Sequence, residues 1–464
     1  MPKAPQQDAA EPPAATAAEA ATPKHTPPAK HTLYAARFVV AGCFVLGNAA
    51  NSLLWSSFSS VTPSARTFYN TNSFAINALS LVFLVLYLPV SPLSSWVLDT
   101  KGLRASALIG CLLTVAGAGV RWAGAYAGSP VTRYAAAMVG QALASIAQPF
   151  VLNAPSRVTA DWFGERERTL ANTAISLGSP VGSAAVLLLG PAIIGDDPNN
   201  FKTLHMICFF VCLVCALPCF FVRDRPPTPP SFSSQIESEP FMVGVKGLAK
   251  SKQYIILWIV FGVFIAIFNT YLTLISDYVS PYGYTQDQSG NLGVITIAVG
   301  IVAAGLIGAI LDRTKAHEIT LKIACLFCVV GVVLFLIGMA PNQYIFLCIG
   351  AALLGIGGFP TLPIVLEVAV EVTFPIAPGT SAGFLMWSGQ GWGILLLLIS
   401  NALRGSDGNL YYAMVFTIAF ACFGAVVSFF FRNTMKRTLA DRQESFTPPH
   451  GSEMDIQLEP TAAA

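Results

Sequence analysis

Trp55, Gln148, Asn269, Trp387 and Gln390 are the side chains of this sequence best suited to recognising a small molecule. Each falls inside an apolar run, and polar side chains in such runs are costly and mark pathways or sites. In the run from Gly42 to Val61, Asn48, Asn51 and Trp55 recur at spacings of three and four, which puts them on one helical face. Gln141 and Gln148, seven apart, share a face in the same way. A face that met only lipid would have no use for aligned amides and an indole, so Asn51 joins the candidates. By residue count, Trp55, Gln148 and Gln390 are expected near the middle of the membrane. Neutral amides donate and accept hydrogen bonds, and indole faces attract ammonium groups. The chemistry such a set offers is reversible binding of a small polar or cationic organic solute.

Other chemistries find less support. Titratable groups avoid the middle of the runs: Glu367, Glu371 and Asp277 fall toward run ends. That argues against a buried carboxylate relay for protons and favours facilitative movement. No Lys or Arg falls mid-run to meet a multivalent anion. Cys208, Cys212, Cys215 and Cys219 form a helical stripe, but no His or carboxylate joins them, so packing is expected and no metal. No phosphate-binding loop is present, no cofactor is expected, and no acid–base cluster suggests an enzyme. Asn77, Asn153 and Asn172 are expected to bond helices together.

The elements that must position these residues are long. The chain is 54% hydrophobic and 11% charged, well short of the roughly 25% charge of soluble domains. Twelve runs reach the roughly 20 residues a bilayer requires. They fall near 37–61, 74–97, 103–124, 132–155, 168–193, 203–222, 254–279, 291–311, 320–340, 343–367, 380–402 and 409–431. A Pro/Ser-rich linker over 223–253 divides them six and six, between bundles over 34–222 and 254–431. The Ala/Pro-rich tail over 1–33 and the tail over 432–464 read as disordered and cytoplasmic. The positive-inside rule puts both termini in the cytoplasm, leaving only Arg66, Arg121, Arg133, Lys202 and Arg404 of the 26 Lys and Arg outside. This is the expectation for an all-α polytopic membrane protein with twelve transmembrane helices in two six-helix bundles. Its partners are a small-molecule substrate and the lipid bilayer, with no nucleic acid, and it is expected to be a monomer.

Six plus six helices about a polar linker resembles the plan of the major facilitator superfamily. The loop S-S-W-V-L-D-T-K-G-L-R from Ser94 and its echo G-A-I-L-D-R-T-K from Gly308 resemble that superfamily's signature after the second helix of each half. Asp99, Arg104, Asp312 and Arg313 are then expected to latch the cytoplasmic side, with Glu367 and Glu371 bracing an inner gate. Four stretches are similar to solute carrier family 49: N-S-L-L-W-S-S-F at Asn51, A-Q-P-F-V-L-N-A-P-S-R-V-T-A-D-W-F-G at Ala147, L-E-V-A-V-E-V-T-F-P with the G-T-S-A-G that follows, and W-S-G-Q-G-W-G-I at Trp387. That family includes choline, ethanolamine and haem carriers, a lysosomal relative linked to pyridoxine, and an orphan branch, which this chain most resembles. The resemblance implies alternating access at a plasma or endolysosomal/vacuolar membrane. It places Trp55 where choline carriers have a cation–π tryptophan, and Gln148 and Gln390 at their substrate-contacting glutamines. It places Asn269 where they have an aromatic Tyr. A proton-coupled vitamin or metabolite symporter is the alternative, and a non-transporting membrane receptor a lesser one.

Overall fold

The computed structural model describes residues 34–227, 241–314, 316–373, 376 and 378–432. Among these, twelve helices are long and apolar enough to cross a membrane and no strand occurs. We number the spanning helices α1 (Ala36–Ser56), α2 (Ser73–Thr100), α3 (Gly102–Gly124), α4 (Pro130–Leu152), α5 (Gly178–Ile194), α6 (Phe201–Ala216), α7 (Lys252–Val279), α8 (Gln286–Thr314), α9 (His317–Gly338), α10 (Tyr344–Thr373), α11 (Pro378–Ala402) and α12 (Tyr411–Phe429). The described chain starts and finishes at one face of the bundle, the termini face. The opposite one is the distal face.

Helices in a bilayer gain little from burying apolar surface against one another, so close backbone approach through small residues does much of the packing. A Cβ on Gly117 of α3 would stand 2.5 Å from the Gly140 carbonyl oxygen of α4. In the second half, a Cβ on Gly350 of α10 would stand 2.9 Å from the Gly331 carbonyl oxygen of α9. Gly178 and Gly182 of α5 lie against the Val45 and Ala49 carbonyls of α1, so closely that any side chain would collide. The pairing repeats between halves: α1 packs on α5 as α7 packs on α11, and α3 on α4 as α9 on α10. The halves meet along α2–α11 and α5–α8, which flank a central seam.

Two expectations need correction. The first helix stops at Ser56 and not near residue 61, because Ser57 turns its hydroxyl back onto the Leu54 carbonyl at 2.8 Å and competes with the helix ladder. The stretch read as linker contains a helix, Phe241–Lys250. Its Leu248 is buried, and Gly244 and Gly247 let Ile376 approach.

Candidate functional site

The amides divide into two sets. Asn48 donates to the Val151 carbonyl (3.1 Å), and Asn51 donates to Thr114 Oγ1 (3.1 Å) and the Ala144 carbonyl (2.8 Å). Gln141 donates to the Leu54 and Leu79 carbonyls at 3.4 and 3.2 Å. Asn153 receives the Tyr87 hydroxyl at 2.7 Å and donates to Ser91 and Ser94. These side chains tie helices together. Gln148, Asn269 and Gln390 form the second set: among the described residues, none makes a hydrogen bond, and Gln148 Oε1 is buried without a partner. Asn51 belongs in part to each set: its amide nitrogen is spent on α3 and α4, while its Oδ1, like Gln148 Oε1, is buried without a partner. Asn172, expected to be helix glue, has no hydrogen-bond partner among the described residues.

Hydrogen bonds between helices serve as a ruler of depth. Gln141 spans Leu54 and Leu79, and Ser80 donates to the Trp55 carbonyl at 3.3 Å. Trp55 is thus level with the second turn of α2, nearer the distal face than the expected mid-membrane position. Gln148 lies two turns beyond Gln141, about 10 Å closer to the termini face at 1.5 Å per residue. Across the seam, Asn269 Nδ2 is 3.9 Å from where a Gly393 Cβ would stand, and Leu84 Cδ2 is 2.7 Å from the same point. Gln390 is one turn from Gly393 along α11. Trp387, a further turn on, donates its Nε1–H to the Leu88 carbonyl at 3.3 Å. In order of depth, Trp55 forms a roof, the three free amides a middle layer and Trp387 a lower edge. The Trp55 indole packs against the cores of both halves, and its buried Nε1 has no partner.

Above this layer the halves are bonded together. The Ser276 amide donates to the Ser59 carbonyl (3.3 Å), Ser289 Oγ to the Ser60 carbonyl (3.1 Å) and Gln286 Nε2 to Ser64 Oγ (2.6 Å). Asn77 of the first half donates to Asp277 Oδ2 at 2.9 Å and to Asn401 Oδ1 at 3.2 Å. Asp277 pairs with Arg404 at 2.5 Å and is only 5% exposed, so the pair is largely desolvated. Asn77, expected to bond helices, bonds the two halves. A distal cavity of about 680 Å³ opens over this cluster, lined by Arg66, Asn72, Asp277, Asn401 and Arg404 among others.

The expected latch lies mostly outside the described residues, which omit the side chains of Asp99, Asp312, Arg313 and Glu367. Arg104 is exposed, and its backbone amide is capped at 2.8 Å by Asp224, a carboxylate the sequence reading did not single out. Gly102, at φ +89°, leaves room for that carboxylate. Glu371, at the termini end of α10, is half-buried. His205, a conceivable axial ligand for haem, is buried and hydrogen-bonded to Tyr69 (2.8 Å) and Arg121 (3.3 Å). Outside the spans, burial pushes the Tyr69 hydroxyl far above its ordinary range, so it stays a neutral partner for His205. Arg121 itself, expected on the non-cytoplasmic side, is buried in the first half.

The Major Facilitator Superfamily model matches residues 44–398. Solute carrier family 49 member A3 of Danio rerio is 31% identical over 450 residues, covering 94% of this chain and 95% of the relative. The chain belongs to solute carrier family 49 of the Major Facilitator Superfamily. A second relative, Choline/ethanolamine transporter FLVCR1 of Felis catus, is 28% identical over 430 residues, covering 89% of this chain and 75% of its own. The crystal structure of a D-xylose-proton symporter superposes with a TM-score of 0.64 at 14% identity, over 85% of this chain and 96% of that one, a likeness of fold. This family member is an integral multi-pass membrane transporter and not an enzyme.

Proposed function

We propose that this transporter carries a small polar organic cation of the ethanolamine or choline type, by facilitative alternating access, past Trp55, Gln148, Asn269, Gln390 and Trp387. The observation that carries this reading is the division of amides. Asn48, Gln141 and Asn153 bond to neighbouring helices and Asn51 does so through its amide nitrogen, whereas Gln148, Asn269 and Gln390 make no hydrogen bond among the described residues. A bound solute would supply the missing partners. Trp55 and Gln148 differ in level by about 10 Å, and the solute would bind between these levels.

The chemistry favours ethanolamine over choline. A primary ammonium offers three N–H donors to amide oxygens, and its hydroxyl can both donate and accept. A quaternary ammonium has no donor and relies on aromatic faces, each worth about 0.5–2 kcal/mol. Trp55 supplies one such face, and Asn269 adds an amide where the choline carriers have an aromatic. Asp277, a buried carboxylate in the spans, is committed to Arg404, which supports transport without proton coupling. The charge bias of the loops puts the termini face in the cytoplasm. Transport would then break the distal bonds as the two halves rock about the site.

A thermal-shift comparison of the purified full chain tests the reading. Ethanolamine is expected to raise the midpoint more than choline, with pyridoxine and haem weaker, and Trp55→Ala is expected to lose the shift. Absence of any shift with small amines, or a shift that survives Trp55→Ala, contradicts it.

A further inference from the structure

Arg121 is 1% exposed, and among the described residues no carboxylate pairs with it. A buried cation without a counter-ion persists only where neutral acceptors surround it. Four do. Arg121 Nη1 donates to the Leu54 carbonyl (3.4 Å) and to Gln141 Oε1 (3.1 Å). Nη2 donates to Ser57 Oγ (2.7 Å) and to His205 Nδ1 (3.3 Å), and the guanidinium stands 4.9 Å from the Phe58 ring centre. His205, accepting at Nδ1, then donates its Nε2–H to the Tyr69 oxygen at 2.8 Å.

Three of these contacts, Leu54, Ser57 and Phe58, lie in the last turn of α1 and the turn that follows it. The Leu54 carbonyl at the end of α1 is shared by the Ser57 amide and hydroxyl, Gln141 and Arg121, and it lies at the negative end of the helix dipole. Arg121 supplies both a donor and a positive charge there. The clamped segment holds the two features that matter most at the seam. Trp55 follows Leu54 directly. Ser59 and Ser60, just after Phe58, offer the carbonyls that receive Ser276 and Ser289 from the other half.

We propose that Arg121 is a positioning residue for transport: it fixes the end of α1, sets the height of Trp55 above the free amides, and holds the Ser59–Ser60 crossbar against the second half. The crossbar is independent of the substrate, while the effect on Trp55 rests on the function proposed above. A plain helix-packing role would leave the crossbar intact in any variant that folds.

The test uses the full chain carrying Ser59→Cys and Ser276→Cys, whose crossbar bond is backbone to backbone and survives both changes, treated with a short bifunctional thiol reagent. The linked peptide is read by mass spectrometry. Lys keeps the charge of Arg121 but loses the planar fork that reaches Leu54, Ser57 and Gln141 together. Arg121→Lys is expected to accumulate normally and to cut the linked fraction about fivefold, the low end of coupling between packed elements. Gln141→Met, which removes one acceptor of Arg121 and one donor to Leu54, carries the same expectation if Arg121→Lys does not accumulate. An unchanged linked fraction in whichever variant accumulates overturns the proposal. With radiolabelled ethanolamine, Arg121→Lys should also raise the half-saturating concentration more than it lowers the maximal rate. If the parent protein shows no ethanolamine uptake, the substrate reading has failed, and the linked fraction still decides the role of Arg121.

Discussion

In the proposed function, selectivity turns on Asn269. Replacing it with Tyr would restore a second aromatic face and remove an amide from the middle layer. Asn269→Tyr is expected to shift preference from ethanolamine toward choline by about 1 kcal/mol, or roughly fivefold, measured as competition in radiolabelled uptake. An unchanged ratio would place Asn269 outside the contact. Gln148→Leu should weaken both solutes alike, because its Oε1 is an acceptor that either hydroxyl can use. The sequence singled out the polar residues of the spans and sorted them only in part. Asn51 and Gln148 are both amides on apolar helices. What separates them is a carbonyl at Ala144, 93 residues from Asn51 along the chain, which only the packed bundle brings to it. Buried Arg121 escaped for a related reason. A basic residue near a helix end reads as loop charge until its neutral acceptors on α1, α4 and α6 are assembled around it.

Among the elements, α1 has the most depending on its placement. It packs on α5 through Gly178 and Gly182, which admit the Val45 and Ala49 carbonyls at distances no Cβ allows. Gly182→Val should therefore push α1 and α5 apart and cost about 1–3 kcal/mol, typical of overpacking. The expected result is a lower detergent-solubilised yield and a lower thermal midpoint. A variant as stable as the parent would show that the contact relaxes freely. The twelve elements were legible because a long apolar run has few alternatives in a bilayer. Their ends were less legible. The turn after Ser56 depends on one hydroxyl folding back onto the Leu54 carbonyl, and the helix Phe241–Lys250 depends on a docking surface near Ile376.

For the whole molecule, the two halves are held at the distal face by backbone and serine bonds and by the desolvated cluster of Asn77, Asp277 and Arg404. Asp277 and Arg404 both belong to the second half, so what crosses between the halves here is the pair of bonds from Asn77 to Asp277 and Asn401. Asn77→Leu, which removes both, should therefore favour opening of that face. It is expected to speed maleimide labelling of a Ser64→Cys reporter, whereas slower labelling would contradict a closing role. The six-plus-six plan was visible in the sequence through run lengths and the central linker. Which face is bonded shut was not, because its partners, such as Asn77 and Asp277, are 200 residues apart. In the proposed function a small ammonium solute crosses between these halves beneath Trp55. Uptake of radiolabelled ethanolamine into proteoliposomes of the purified chain, parent beside Trp55→Ala, tests it most directly. Saturable uptake by the parent, unaffected by an imposed proton gradient, is expected, with background uptake by an equally abundant Trp55→Ala. Uptake that persists undiminished in Trp55→Ala, or parent uptake no higher than empty vesicles, would contradict it.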